Sequence, residues 1–355
     1  MIAFKKTAVL PWILLITLLL ALSAIIGYIL HLNTAHEPKQ PASTPVPTVS
    51  PSSLAFATPH ATKAAATATP IPADEKPTPA WQFVDDADQF WMDGILRRTD
   101  DSYRSPGLSV NVRTVIDTKT YPRRVMYYVA DIYVRDVTQI KTESYSGDFS
   151  HPGRGSVPKT AKRVNALLAI SGDYCGVQKG SLVIRNGVVY RESLRKDMDT
   201  CLLLRDGTME TFRAGKIALS DILQMDVWQA WQFGPLLLEN DGEVRSSFAS
   251  VNIAVQNPRS CIGYVAPGHY MFVVVDGRQK HSRGLTLSEL AALMKSLGCT
   301  RAFNLDGGAS AHFYWRDKIF SSPSKGGRSI SDIVYLSKED YTDSFYFPGK
   351  DGLHE

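Results

Sequence analysis

The sequence predicts a β-rich α+β fold: a single domain with few helices, preceded by a transmembrane helix and a disordered stalk. Three observations carry this reading. A charge-free apolar run fills residues 8–30. A proline-rich stretch follows it. From Trp81 onward short β-like runs recur, several paired around Asn-Gly or Asp-Gly, with only two stretches at helical spacing.

The N-terminal element comes first. Lys5 and Lys6 precede "AVLPWILLITLLLALSAIIGYIL", 23 residues without a charge. About 20 apolar residues span a bilayer as a helix. The flanking lysines place residues 1–7 on the cytoplasmic side of an anchor at 8–30. A cleaved signal peptide is the competing reading, but its apolar core runs about 7–15 residues and ends at a small-residue site. This run is longer and no A-x-A follows. Either reading puts the rest of the chain outside the cytoplasm; the anchor reading makes it a single-pass cell-membrane protein.

Residues 31–80 are a linker. They hold ten of the twenty prolines and are rich in Ala, Thr and Ser. A segment so poor in large apolar residues buries too little surface to offset the entropy of ordering, and so many prolines keep it extended.

The remainder, 81–355, reads as one domain. "DADQFWMDGILRRTD" (86–100) is a short helix or an irregular lead-in. "LSVNVRTVI" (108–116) and "RVMYYVADIYV" (124–134) are strands. "SLVIRNGVVYRES" (181–193) is a hairpin, because Asn186-Gly187 between β-branched runs favours a type I′ turn. "CLLLRDGTMETF" (201–212) and "GPLLLENDGEV" (234–244) repeat that pattern. "YMFVVVDGR" (270–278) is a buried strand leaving the core at Asp276. One helix is predicted in "KTAKRVNALLAI" (159–170), whose end also reads as strand. The other lies in "TLSELAALMKSLG" (286–298): Thr286 and Glu289 form a capping box, and Gly298 supplies a left-handed stop. No internal repeat is present.

Composition narrows the function classes. The net charge of +4 is mild and no block of five basic residues occurs, which excludes an extended nucleic-acid footprint. The apolar fraction of 44% supports a sizeable core. Cys175, Cys201, Cys261 and Cys299 show no zinc-ligand spacing; two disulfides and four buried thiols both remain open.

Chemistry concentrates where strands run into turns. "AFNLDGGASAHFYW" (302–315) sets Asp306 ahead of Gly307, Gly308 and Ser310. Glycine permits positive φ and close approach of a ligand to the backbone, so Asp306 is placed to face a cleft. A plain hairpin turn is the blander account. A serine-nucleophile elbow is excluded because His312 stands where the G-x-S-x-G pattern needs glycine. "AISGDYCG" (169–176) offers Asp173 in a similar setting, and "VVVDGRQKHSRG" (273–284) offers Asp276 and Arg278. Arg259 precedes a strand in "QNPRSCIGY", and Arg328 sits in the Ser/Gly-rich loop "SSPSKGGRSISD". Arginine presents a planar fork suited to phosphate oxygens. Carboxylates on strand exits with arginines on neighbouring loops suit a ligand with a sugar and a phosphate. Trp228, Trp231 and Trp315 read as core residues rather than sugar platforms.

These motifs together resemble the phosphodiester glycosidase family, whose bacterial members are often described as exopolysaccharide biosynthesis proteins. The resemblance spans about 160–336 and is strongest over 256–336. "NLDGGAS" looks like the family's Asn-Leu-Asp-Gly-Gly-Gly-Ser, "NPRSCIG" like its Pro-Arg-Thr-Ala-Ile-Gly, and "PSKGGR" like its late Pro-Ser…Arg segment. Ala309 replaces the third glycine. Ser171-Gly172-Asp173 replaces an Asn-Gly-Gly stretch, which leaves the sugar open.

The resemblance implies a hydrolase that cuts a sugar-1-phosphodiester in an envelope glycan. Asp306 is then the first candidate for base or nucleophile, with Asp173 and Asp276 as further catalytic candidates. Arg259 and Arg328 are assigned to the phosphate, with Ser310 and the backbone N–H groups near Gly307 and Gly308 as helpers, and Arg278 and Asn304 are further substrate contacts. No cofactor is firmly expected; the carboxylates could hold a divalent cation, though no loop has EF-hand spacing. The alternative is a non-catalytic module binding anionic cell-envelope glycopolymers.

Overall fold

A computed structural model describes residues 89–90, 97–98, 100–239, 242–248 and 253–338. The predicted anchor at 8–30, the linker at 31–80 and most of the 86–100 lead-in lie outside the described residues. Among those described, no helix is long and apolar enough to cross a membrane.

The β-rich prediction holds. Three sheets carry the domain, and every strand pairing among the described residues is antiparallel. The largest sheet has nine strands. Its centre runs in the order Leu108–Asp117, Val125–Val134, His269–Val275, Arg259–Ala266, Arg301–Asn304 and Leu236–Glu239. A second, five-stranded sheet contains the hairpins at Asn186-Gly187 and Asp206-Gly207, while the 234–244 hairpin joins the large sheet. The third is built on Ala166–Ser171, flanked by Phe313–Trp315 and Asp332–Ser337.

The central strand of the large sheet shows why "YMFVVV" carries no polar alternation. Tyr270, Phe272 and Val274 point into a core shared with the other sheets, beside Leu168, Ile170, Phe313 and Val334. Met271, Val273 and Val275 face the opposite side. There the predicted helix covers them, with Leu287, Leu290, Ala291 and Met294 buried. Both faces of the strand are dry, so both are apolar. Trp228, Trp231 and Trp315 are buried, as read from the sequence.

Local signals translate directly. Asn186 and Gly187 have φ of 52° and 77°, the pair of positive values a type I′ turn needs. The helix α3, Leu287–Ser296, starts with the Thr286/Glu289 capping box and ends before Gly298 at φ 86°. The stretch 159–170 divides: helix α1, Val157–Arg163, capped by Ser156, gives way to the strand Ala166–Ser171. Between α1 and α3 lies a four-residue helix α2, Leu219–Ile222, which makes three α-helices among the described residues. All four cysteines are buried free thiols, which settles the question left open by their spacing.

Candidate active site

Two sheets meet at Asp306. The strand Arg301–Asn304 of the large sheet delivers it. Its N–H donates to the Gly172 carbonyl at 2.9 Å, and its own carbonyl accepts from Ser171 Oγ at 2.8 Å, both at the end of Ala166–Ser171 in the third sheet. The glycines here have separate reasons. A Cβ on Gly307 would stand 2.7 Å from the Pro258 carbonyl, and one on Gly172 would stand 2.5 Å from the Asp332 carboxylate. Gly308 instead needs its φ of +61°.

A cavity of about 320 Å³ opens over this turn, lined by Tyr174, Phe233, Ile253, Asn257, Arg259, Arg278, Asn304, Asp306, Gly307, Gly308, Ala309 and Arg328. Three arginines and one carboxylate face the same space. Arg328 Nη2 donates to both oxygens of Asp306 at 2.9 Å, and its Nε donates to Ser310 Oγ at 2.9 Å. Its guanidinium also lies over the Tyr174 ring. The loop carrying Arg328 is fixed by its own N–H on the Ala309 carbonyl.

Arg278 is aimed by Asn257, whose Oδ1 accepts from Nε at 3.0 Å and Nη2 at 2.5 Å. A Cβ added to Gly308 would stand 3.5 Å from the Arg278 Nη2, so the guanidinium lies over this turn. Arg259 behaves differently. It is buried, and it donates to the carbonyls of Leu285, Ile253 and Val255. It therefore pins the segment that carries Ile253 and Asn257, and adds charge from beneath. Burial, reinforced by Arg278, brings it down to about 10, still cationic at neutral pH.

The carboxylates separate into three environments. Asp306 is buried, and burial pushes its carboxyl above the ordinary value; Ser310 and Arg328 pull it down, and the Asp173 charge adds to the rise. Asp173 does not line the cavity. It is buried against Arg185 at 2.8 Å and caps the Cys175 N–H. Asp276 also lies away from the lining. It accepts from Tyr128 Oη and from the Ser322 N–H, and meets His281 Nε2 at 3.3 Å. It ties the end of its strand to the loop that leads to Arg328.

Two further expectations change. The Gly308 N–H is spent on the Pro258 carbonyl, so it offers nothing to a ligand. Ser310 is fully buried, with its hydroxyl on Arg328. Asn304 does line the cavity; its Nδ2 donates to the Gly234 carbonyl and its buried Oδ1 has no donor.

Sequence reasoning missed the layer below. Arg185 is completely buried between Asp173 and Asp332, at 2.8 and 3.5 Å. Asp173, Cys175 and Asp332 sit close enough to offer a metal three ligand atoms. Arg185 already supplies a cation to both carboxylates, so a divalent ion there would face a guanidinium at contact range, and the donor set fits a metal poorly. One residue before a hairpin turn, Arg185 carries no pattern that marks it as buried. Tyr174 had a visible cue, as the aromatic following Asp173.

Residues 164–337, just under half of the chain, match the phosphodiester glycosidase family. The chain is similar to the SPβ prophage-derived uncharacterized protein YomE of Bacillus subtilis (strain 168), 28% identical over 69% of this chain and 39% of that protein. It is 23% identical to the N-acetylglucosamine-1-phosphodiester α-N-acetylglucosaminidase of Mus musculus, over 48% of this chain and 30% of the mouse protein. This chain thus spans well under half the length of either relative. The fold matches the zebrafish N-acetylglucosamine-1-phosphodiester α-N-acetylglucosaminidase catalytic domain, solved auto-inhibited by its pro-peptide. That match has a TM-score of 0.55 and 23% identity, covering 69% of this chain and 88% of that one.

Proposed function

We propose that the domain hydrolyses a sugar-1-phosphodiester. The observation that carries this is the cavity lining: three arginines against a single carboxylate that is held on one of them. A net positive cavity with one buried carboxylate suits an anionic diester joined to a neutral sugar. The family match and the activity printed for the mouse relative support the same reading.

In this account Arg278 and Arg328 hold the phosphate, with Arg259 behind them. Asp306 takes a proton from water as the water oxygen bonds to C1, or attacks C1 itself in a two-step version. The C1–O bond breaks and its electrons stay on the phosphate oxygen. The leaving phosphomonoester has a second pKa of about 6, so it needs little protonation, and the arginines stabilise the charge that develops. Asp173 and Asp276 act through position: one anchors the layer beneath Asp306, the other the loop before Arg328.

The setting is also a proposal. The apolar run at 8–30 and the linker at 31–80 would hold the 81–355 domain outside the cell membrane, within reach of envelope or exopolysaccharide glycans. The test is direct. The chain is incubated with sugar-1-phosphodiesters, UDP-N-acetylglucosamine among them, and the phosphorus signal is followed by NMR. Conversion of diester to monoester with matching release of reducing sugar supports the reading. Tight binding of an anionic glycopolymer without turnover of any diester would favour a binding module instead.

A further inference from the structure

A second cavity of about 400 Å³ adjoins the first, and Phe233 and Ile253 line both. Its chemistry differs. Its charged residues are paired: Arg245 Nη1 lies 2.5 Å from Asp199, and Asp197 lies 2.6 Å from Arg195. Met198, Pro235, Phe233 and Ile253 supply apolar surface. Gln178 lines it too, and Gln178 Oε1 is buried with no donor. The first cavity contains a matching feature, the unpartnered Asn304 Oδ1, on the residue whose Nδ2 holds Gly234 of the second cavity's wall.

A buried acceptor without a donor is costly, on the order of a lost hydrogen bond, unless a ligand supplies one. A phosphodiester has no hydrogen to donate. A sugar hydroxyl has. The two orphan acceptors therefore mark where sugar lies, and the arginines mark where phosphate lies. Asn304 links the two cavities: it lines the first, and its Nδ2 holds Gly234 of the second. The phosphate then lies over Gly308, the sugar to be released beside Asn304, and further chain beyond Phe233.

Resting on the hydrolase reading above, we propose that the second cavity is a subsite for a neutral sugar linked to the one released, so that the substrate is an oligosaccharyl rather than a monosaccharyl phosphodiester. The paired charges leave no net field to select an ion. The apolar walls suit the C–H faces of a pyranose ring, and Gln178 accepts one of its hydroxyls.

The probes are an N-acetylglucosamine 1-phosphodiester, the corresponding chitobiose 1-phosphodiester with the same aglycone, and free chitotriose. Assays use the full chain, Gln178→Ala and Ala214→Trp, the last placing bulk in the second cavity without touching the first. The expected result is a higher kcat/KM for the disaccharide diester. That preference should fall about fivefold in Gln178→Ala, the loss of one neutral hydrogen bond, and vanish in Ala214→Trp. Both diesters cut equally, with the ratio unmoved by either variant, would overturn the subsite and leave the hydrolase standing. If neither diester is cut, chitotriose binding decides: binding that Ala214→Trp abolishes keeps the sugar subsite and sinks the hydrolase, while no binding sinks the subsite as well.

Discussion

Arg328 Nη2 lies 2.9 Å from both carboxylate oxygens of Asp306, and the same guanidinium is anchored through Nε on Ser310. One residue therefore fixes the geometry of the carboxylate and still presents partly open positive charge to the cavity. Lysine keeps the charge but cannot form this fork. Arg328→Lys should lower kcat/KM by at least about tenfold, the size of a lost hydrogen bond to a charged group. Steady-state kinetics on any cleaved diester checks it; wild-type kinetics would show that the fork is irrelevant.

The pH profile should carry the mark of burial. Asp306 must be ionised to act as base or nucleophile, and its carboxyl sits above the ordinary 3.8 because of desolvation, despite Arg328. Activity should therefore rise with pH along an acidic limb whose midpoint lies above 3.8. A limb at or below that value would mean that another group controls the step.

Asn257 should matter for binding more than for chemistry. It touches Arg278 through Oδ1 and holds the cavity edge through main-chain bonds to Leu285. Asn257→Ala leaves Arg278 unaimed. KM should rise about five- to tenfold, one or two hydrogen bonds' worth, with a smaller change in kcat. A KM that does not move would place the phosphate elsewhere.

The buried layer predicts a stability effect. Asp173→Ala removes one partner from a fully buried Arg185. Breaking such a pair costs about 3–5 kcal/mol, readable as a lower urea midpoint. Asp332 adds a pH dependence. Burial and the Asp173 charge raise its folded pKa well above the unfolded value. A raised folded pKa gives stability present below the unfolded value and lost as pH rises toward the folded one. Asp332→Asn should flatten that slope; an unchanged slope would remove Asp332 as its source.

Much of this molecule was legible before the fold. The hairpin at Asn186-Gly187, the capping box at Thr286 and the doubly buried "YMFVVV" run each carry their cause in adjacent residues. The Asp306 turn and the flanking arginines were picked out because carboxylates and arginines both fall where strands run into Gly-containing turns and loops. Long-range burial was not legible. Nothing near Asp173 or Asp276 in the chain says that their oxygens are taken by Arg185, Tyr128 and Ser322, residues up to 148 positions away. Arg259 looked like an open phosphate fork, yet its donors are held by carbonyls that only the folded loop brings to it.

The most direct test of the central claim compares the wild-type chain with Asp306→Asn on a sugar-1-phosphodiester that the wild type cleaves. Binding and release of reducing sugar are measured side by side. The account predicts that the variant keeps most of its affinity and loses about 10²-fold or more in release, the scale of a lost catalytic base. Release at the wild-type rate from the variant would contradict it.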